Sequence, residues 1–267
     1  MQAIAREFNL SETVFVFEPQ NARNTKQVRI FTPGEEVPFA GHPTVGTACV
    51  LAAIGEVVLK DQSADIVLEE GVGDVPVAIK TTGSGWYAEL SAARPPEFRP
   101  CPVSFADVAA MVSLEIADLD LAVYPLEAVS CGLPFLFVPV RTLAAMQRIR
   151  LNPAKWEAGL KDAWARQIYL FTTGTVARDC DFHARMLAPA LGITEDPATG
   201  SAATAFAGYL GRLPGCADGS LKVVVEQGLE MGRPSKMFIS AEINGAAATN
   251  IRVGGHTVLV TQGSLTL

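Results

Sequence analysis

The sequence has no apolar run approaching the roughly 18 to 20 residues that a membrane-spanning helix needs. Its first segment, Met1 to Phe8, places no charged leader before a long apolar stretch, so it does not read as a secretory signal. Cysteine is sparse: five residues, an odd number without a C-x-x-C pair, predict reduced thiols in a cytoplasmic protein rather than a disulfide framework. Histidine is sparser still. His183 and His256 are far apart without metal-ligand spacing, and no metal site is expected. No G-x-G-x-x-G and no Walker-type loop occurs, so no nucleotide cofactor is expected, nor any other cofactor. Positive charge is also short. A net charge of −7 argues against a phosphate-backbone partner, which would normally show as a basic patch. What remains is a 267-residue chain whose 49% hydrophobic content can fill two cores.

Within that chain a pattern recurs. His42-Pro43-Thr44-Val45-Gly46-Thr47-Ala48 and Asp196-Pro197-Ala198-Thr199-Gly200-Ser201-Ala202 share polar-Pro-x-x-Gly-hydroxyl-Ala. Upstream, Arg29-Ile30-Phe31-Thr32-Pro33 is echoed by Arg185-Met186-Leu187-Ala188-Pro189. Downstream, Val67-Leu68-Glu69-Glu70-Gly71 is echoed by Val224-Val225-Glu226-Gln227-Gly228. Three echoes in one order at a nearly constant offset indicate a duplicated domain, and the mismatch of His42 with Asp196 marks where chemistry is expected.

Pro43 to Ile54 carries no charge and is apolar around most of its circumference, which predicts a helix buried on all sides. Ser201 to Leu210 has the same character and closes on Gly211. Gln2 to Phe8 reads as a helix without a capping residue. Strands are predicted at 13–17, 28–31, 66–68, 75–79, 86–90, 133–140, 221–225, 237–241 and 258–260. Helices are predicted after the cap Ser104, at 142–148 and at 156–164. The Pro-rich stretch 94–102 is the expected linker between a first domain (1–100) and a second (101–267), whose last strand can pack back on the first. Two β-rich domains, each wrapped about one apolar helix, are the result.

In the repeated motif, proline suits a first helical turn, glycine admits close approach, and the hydroxyl residue with free amides forms a helix start that suits a carboxylate. Packing of buried helices explains one such glycine as well; recurrence favours a site. Cys49 belongs to the core. Cys131 stands at a turn without an evident acid or His partner. Glu35, Glu36 and Glu195 read as rim or turn residues.

Asn9-Leu10-Ser11-Glu12-Thr13, Arg29 to Pro33, Glu36 to Pro43, Glu195 to Ala202, Gln227-Gly228 and Met231 to Ser235 together resemble the PhzF family, in order along essentially the whole chain. The resemblance implies an α+β, diaminopimelate-epimerase-like fold: two pseudo-symmetric β-barrel-like domains around central helices, with the site between them. It implies that Glu12 is the acid/base that lifts a proton from carbon and redelivers it. Taken alone, a Glu before a strand is usually a solvated end residue. A base for this chemistry needs partial burial, for which Val14, Phe15 and Phe39 are candidates. Gly41 and Asp196 match positions where related racemases carry two cysteines, so a two-thiol mechanism is disfavoured. His42 and Asp196 match groups that hold and polarise substrate; Ser11, Gly41, Gly200 and Ser201 match its binding positions, with Ser11, Gly200 and Ser201 on a carboxylate.

The same resemblance implies a homodimer and a small carboxylated metabolite as partner. It also implies that the family's opening strand and turn lie outside this chain, leaving the first barrel incomplete. Three functions follow as alternatives: a cofactor-independent isomerase, a non-catalytic carboxylate-binding protein inactive through loss of that strand, and a racemase using other bases.

Overall fold

The computed structural model describes residues 1–83 and 85–265. Helix α1 (Gln2–Phe8) leads into β1 (Thr13–Phe17), β2 (Lys26–Phe31), the short β3 (Glu36–Val37) and α2 (Gly41–Ala53). A meander follows: β4 (Ser63–Glu70), β5 (Gly73–Thr82) and β6 (Gly85–Ser91). The middle of the chain holds β7 (Glu97–Pro100), α3 (Phe105–Met111), β8 (Glu127–Ser130), β9 (Pro134–Pro139), α4 (Leu143–Arg148), α5 (Pro153–Gly159) and β10 (Gln167–Thr172). Last come β11 (Phe182–Leu187), β12 (Glu195–Asp196), α6 (Gly200–Gly211), β13 (Gly219–Gln227), β14 (Ser235–Asn244) and β15 (Ala247–Thr257). Among the described residues no helix is long and apolar enough to cross a membrane.

The strands form one hydrogen-bonded path, β1-β2-β4-β5-β6-β15-β14-β13-β11-β10-β9-β8-β7, with β3 on β2 and β12 on β11 as side branches. The halves join where β15 pairs antiparallel with β6, Val253 opposite Leu90. The two copies of the sequence echo make matching parallel pairs in this ladder. The parallel pair β2/β4 sets Lys26 opposite Leu68 and Gln27 opposite Glu69. The parallel pair β11/β13 sets Phe182 opposite Val225 and His183 opposite Glu226. Glu69 accepts from the amides of Gln20 and Asn21 at 2.8 and 2.7 Å, and Glu226 from those of Val176 and Ala177 at 2.6 and 2.8 Å. Each copy thus uses one carboxylate to clamp the loop that enters its parallel strand, a charge-assisted contact stronger than a neutral one.

All of α6 is buried. Phe206 and Tyr209 stack against Phe137 of β9, and the Tyr209 hydroxyl donates to Pro125 O at 2.7 Å, so this ring is buried with its polar end satisfied. The other uncharged helix differs from expectation. Val50 of α2 is half-buried and Ile54, just past its end, is 53% exposed. Both line a groove of about 580 Å³ beside Val14 and Val16 of β1, so α2 is buried on one side only.

Other expectations need correction. Val258 to Val260 form no strand, since β15 ends at Thr257, opposite Trp86 near the start of β6. The strand itself runs through Ala247–Thr257, where two glycines and exposed polar residues hide the alternation. The Pro-rich stretch contains β7, which ends the strand path and, among the described residues, pairs only with β8; an edge tolerates proline because one side of its ladder is unused. Helix α5 begins earlier than 156 and stops at Gly159, because Asn152 caps it by accepting from Lys155 N and Pro153 fits the first turn. Ser104 does cap α3, accepting from Asp107 N.

Candidate active site

Two crossing helix starts build the site. Gly41, the first residue of α2, lies against Gly200, the first of α6, so closely that a Cβ on Gly41 would overlap the Gly200 backbone. The repeated motif does not sit alike on its two helices. Pro43 and Gly46 lie inside α2, whereas Pro197 precedes α6 and Gly200 begins it. Gly46 has no neighbour where a Cβ would go. The helix-crossing role expected of the repeated glycine therefore falls to Gly41 in the first copy.

At this crossing Glu12, His42 and Asp196 converge. The Glu12 side chain is 7% exposed and its Oε2 lies 3.0 Å from His42 Nε2, at ion-pair distance though poorly aligned for a hydrogen bond. His42 Nδ1 lies 2.7 Å from Ala198 O and 3.9 Å from Asp196 Oδ1. A carbonyl only accepts, so Nδ1 carries a hydrogen, and the contact with Glu12 needs one proton between Nε2 and Oε2. Burial opposes an imidazolium here, but the carboxylates of Glu12 and Asp196 outweigh it and raise His42 from 6.5 to about 9. With 36% of the His42 side chain open to solvent, burial is the weaker side of that balance.

Asp196 is 2% exposed at its side chain. Thr199 Oγ1 donates to its Oδ2 at 2.6 Å, while Gln227 Nε2 donates to Asp196 O at 2.7 Å and to Thr199 Oγ1 at 2.9 Å. Its Oδ1 has no hydrogen-bond partner among the described residues. Burial raises the Asp196 carboxyl, and the charge of Glu12 adds to that, against the lowering pull of His42. A buried acceptor left open beside an imidazole and a second carboxyl is where a polar ligand atom is best received.

These groups line a chamber of about 10 Å³ with Val37, Phe39 and Phe135, room for about one water. Gly41 and Ser201 line it too. A wider cavity of about 770 Å³ shares Gly41, His42 and Ala198 with it and is lined by Gly200, Arg233 and Phe238. Ser11 is half-buried next to Glu12 and lines neither space. Of the residues proposed to shield Glu12, Phe39 borders the chamber, Val14 borders the groove outside it, and Phe15 packs on Phe31.

Thr199, Gln227 and the Ala198 carbonyl were not singled out in the sequence. Gln227 stood in an echo and in one stretch of the family resemblance, in neither with a role, and no pattern in a linear chain shows which backbone carbonyl will face a histidine. Glu195 is not a rim residue: it forms a two-pronged ion pair with Arg185 at 2.8 and 2.7 Å, nearly buried, because β12 lies on β11. Glu36 and Glu35 do form exposed pairs, with Arg29 and Arg166. His183 is buried between Glu226 and Glu230 at 2.9 and 3.1 Å. Cys131 is buried, which pushes its thiol up to about 12 and leaves it inert as a nucleophile near neutral pH.

One atom each from Glu12, His42 and Asp196 lie within 4.8 Å of one another, close enough to share a cation. A metal would need the Nε2 lone pair, and a proton held until about pH 9 competes for it.

The family model of phenazine biosynthesis-like proteins (PhzC-PhzF) matches residues 1–263. An uncharacterized isomerase of Mesorhizobium japonicum is 41% identical over 268 residues, 99% of this chain and 88% of the relative. The trans-2,3-dihydro-3-hydroxyanthranilate isomerase of Pseudomonas chlororaphis is 34% identical over 271 residues, 100% of this chain and 88% of that enzyme. A PhzF-family phenazine biosynthesis protein of Bacillus anthracis has a TM-score of 0.88 at 26% identity, over 100% of this chain and 88% of that one. A probable proline racemase of Agrobacterium radiobacter, 12% identical over 99% of this chain and 81% of its own, shares the fold alone with a TM-score of 0.64. The chain belongs to the PhzF family and is one of its isomerases, on the mixed, sheet-rich fold which that family has in common with the proline racemases.

Proposed function

We propose that the protein is a cofactor-independent isomerase that moves a proton between two carbons of a small carboxylate. The observation that carries this reading is the Glu12 carboxyl, nearly buried with its Oε2 3.0 Å from His42 Nε2. Glu12 takes the proton from a substrate carbon, and the electron pair released delocalises into the adjoining conjugated system. The same carboxylic acid returns the proton to a second carbon as the pair moves back, so no oxidant or reductant enters. His42 and the open Oδ1 of Asp196 hold the substrate's polar groups. The crossing starts of α2 and α6, with Gly41, Gly200 and Ser201, receive its carboxylate, where free amides and helix dipoles favour an anion. Ser11 belongs to the same binding set through its place beside Glu12. A water-sized chamber cannot admit such a molecule, so entry opens the contact between His42 and Ala198 from the wider cavity.

The test is exchange of solvent deuterium into a panel of small carboxylates, followed by NMR. The panel includes trans-2,3-dihydro-3-hydroxyanthranilate, the compound named for the Pseudomonas relative. Incorporation at carbon supports the reading; binding with no exchange across the panel argues for a carboxylate-binding protein instead. Because no step uses a metal, the exchange rate is expected to be unchanged by a chelator such as EDTA, and a chelator-sensitive rate restored by one divalent cation would reassign the three-residue cluster.

His42 also sets a pH dependence. Its folded value of about 9 lies above the ordinary 6.5, so the stability it contributes is fully present below about 6.5 and is lost as pH rises through 9. The expected result is a His42 ring titration near pH 9 by NMR, with kcat/KM falling on the same limb. A ring that titrates below 7 would remove the ion pair of His42 with Glu12.

A further inference from the structure

The two copies differ at one more position beneath their helices. Gln227 follows the loop-clamping Glu226 and braces the start of α6 by donating to Asp196 O and Thr199 Oγ1. Glu70 follows the loop-clamping Glu69, in the same place on β4, and lies under the start of α2. It is buried, at 8% exposure, and its Oε2 has no hydrogen-bond partner among the described residues. Its Oε1 lies 2.5 Å from Thr44 Oγ1, which lies 2.7 Å from Ala40 O. One hydroxyl proton cannot serve both contacts. If Thr44 donates to the Ala40 carbonyl, the proton between Thr44 and Glu70 must come from Glu70.

We propose that Glu70 is a positioning residue that holds the start of α2, and with it His42, by donating a hydrogen bond as a neutral carboxylic acid. It thereby does in the first copy what the amide of Gln227 does in the second. The proton chain runs from Glu70 to Thr44 Oγ1 and from Thr44 to Ala40 O, the residue that caps α2 two positions before His42. Ionisation reverses the first bond: Thr44 turns its proton to the carboxylate and releases the Ala40 carbonyl.

Among the described residues, the charged groups around Glu70 leave it without a counterion. Arg29 of β2 is engaged by Glu36 of β3 at 2.6 Å across a cavity of about 450 Å³ that Glu70 also lines. Glu69 is held by the Gln20 and Asn21 amides, Asp74 of β5 receives Asn24, and His42 faces Glu12. Burial, opposed by the Thr44 contact, pushes the Glu70 carboxyl up to about 8. A carboxyl raised in the folded state keeps a proton that the unfolded chain releases above about 4.5. Its stabilising contribution is therefore present at low pH and declines as pH rises from there through 8.

The inference rests on the reading of His42 as a substrate-holding group, but its test needs no substrate and stands or falls separately. Ring resonances of His42 are followed by NMR from pH 5 to 10 in the wild type, Glu70→Gln and Glu70→Leu, and unfolding is measured in parallel. In the wild type the His42 signals are expected to inflect near pH 8 before their own titration near 9; Glu70→Gln keeps only the second step. The folding equilibrium of Glu70→Gln is expected to gain on the wild type by up to about tenfold per pH unit within that window. Glu70→Leu, with no donor, is expected to shift the His42 signals at every pH. Identical His42 curves in wild type and Glu70→Gln, or a Gln variant as perturbed as the Leu variant, would overturn the proposal.

Discussion

Glu12→Gln is expected to lose about 10² to 10⁴-fold in kcat for exchange of solvent deuterium into a substrate carbon. Gln keeps the shape and the polar contact with His42 but can neither take nor return a proton. The geometry sets the expectation: the carboxyl is nearly buried, its Oε2 meets Nε2 of His42, and Asp196 stands on the other side of that ring. Substrate affinity is expected to change far less than turnover, because the proposed binding positions are Gly41, Ser201 and the helix starts rather than Glu12. Single-turnover NMR in deuterated buffer separates the two quantities. Retention of more than a tenth of the wild-type exchange rate would move the base elsewhere, with Asp196 the next carboxylate to test.

Gly41→Ala carries the second large effect, and it comes from packing. A Cβ at Gly41 meets the Cα and carbonyl carbon of Gly200 and the amide of Ser201, all backbone atoms of α6. Overpacking a core costs typically about 1–3 kcal/mol where side chains can yield. Here neither helix can yield without moving its start, so a cost at the top of that range is expected, together with loss of activity as His42 and Ser201 separate. Gly46→Ala is the contrasting variant. Nothing lies within 4 Å of its Cβ position, and replacing a mid-helix glycine adds up to about 1 kcal/mol of stability. Urea unfolding of both variants checks the pair; equal midpoints would show that the helix starts are not in rigid contact.

That contrast shows where linear pattern fails. Gly46 and Gly200 are matched by the motif, yet the residue that packs on Gly200 is Gly41, because α2 starts before its proline and α6 after. Helix starts depend on which carbonyls find partners. Thr44 N reaches back to Ala40 O in α2, whereas Ala203 N reaches only to Thr199 O in α6. The strand predicted at 258–260 failed for a related reason, since β propensity cannot make a strand where no neighbour among the described residues offers a ladder. By contrast, the register of β2 with β4 and of β11 with β13 follows the echoes residue for residue.

The sequence alone determined the repeated pattern, the uncharged helices and the set of polar residues worth watching, because burial demands apolar runs and a repeat preserves local spacing. Only the tertiary structure decided how these meet. It set the ion-pair distance between Glu12 and His42, the open oxygen of Asp196, and the placement of Glu70 and Gln227 beneath the two helix starts. Those contacts join residues distant in the chain, and the distances and burial that govern proton sharing exist only once both halves are folded against each other.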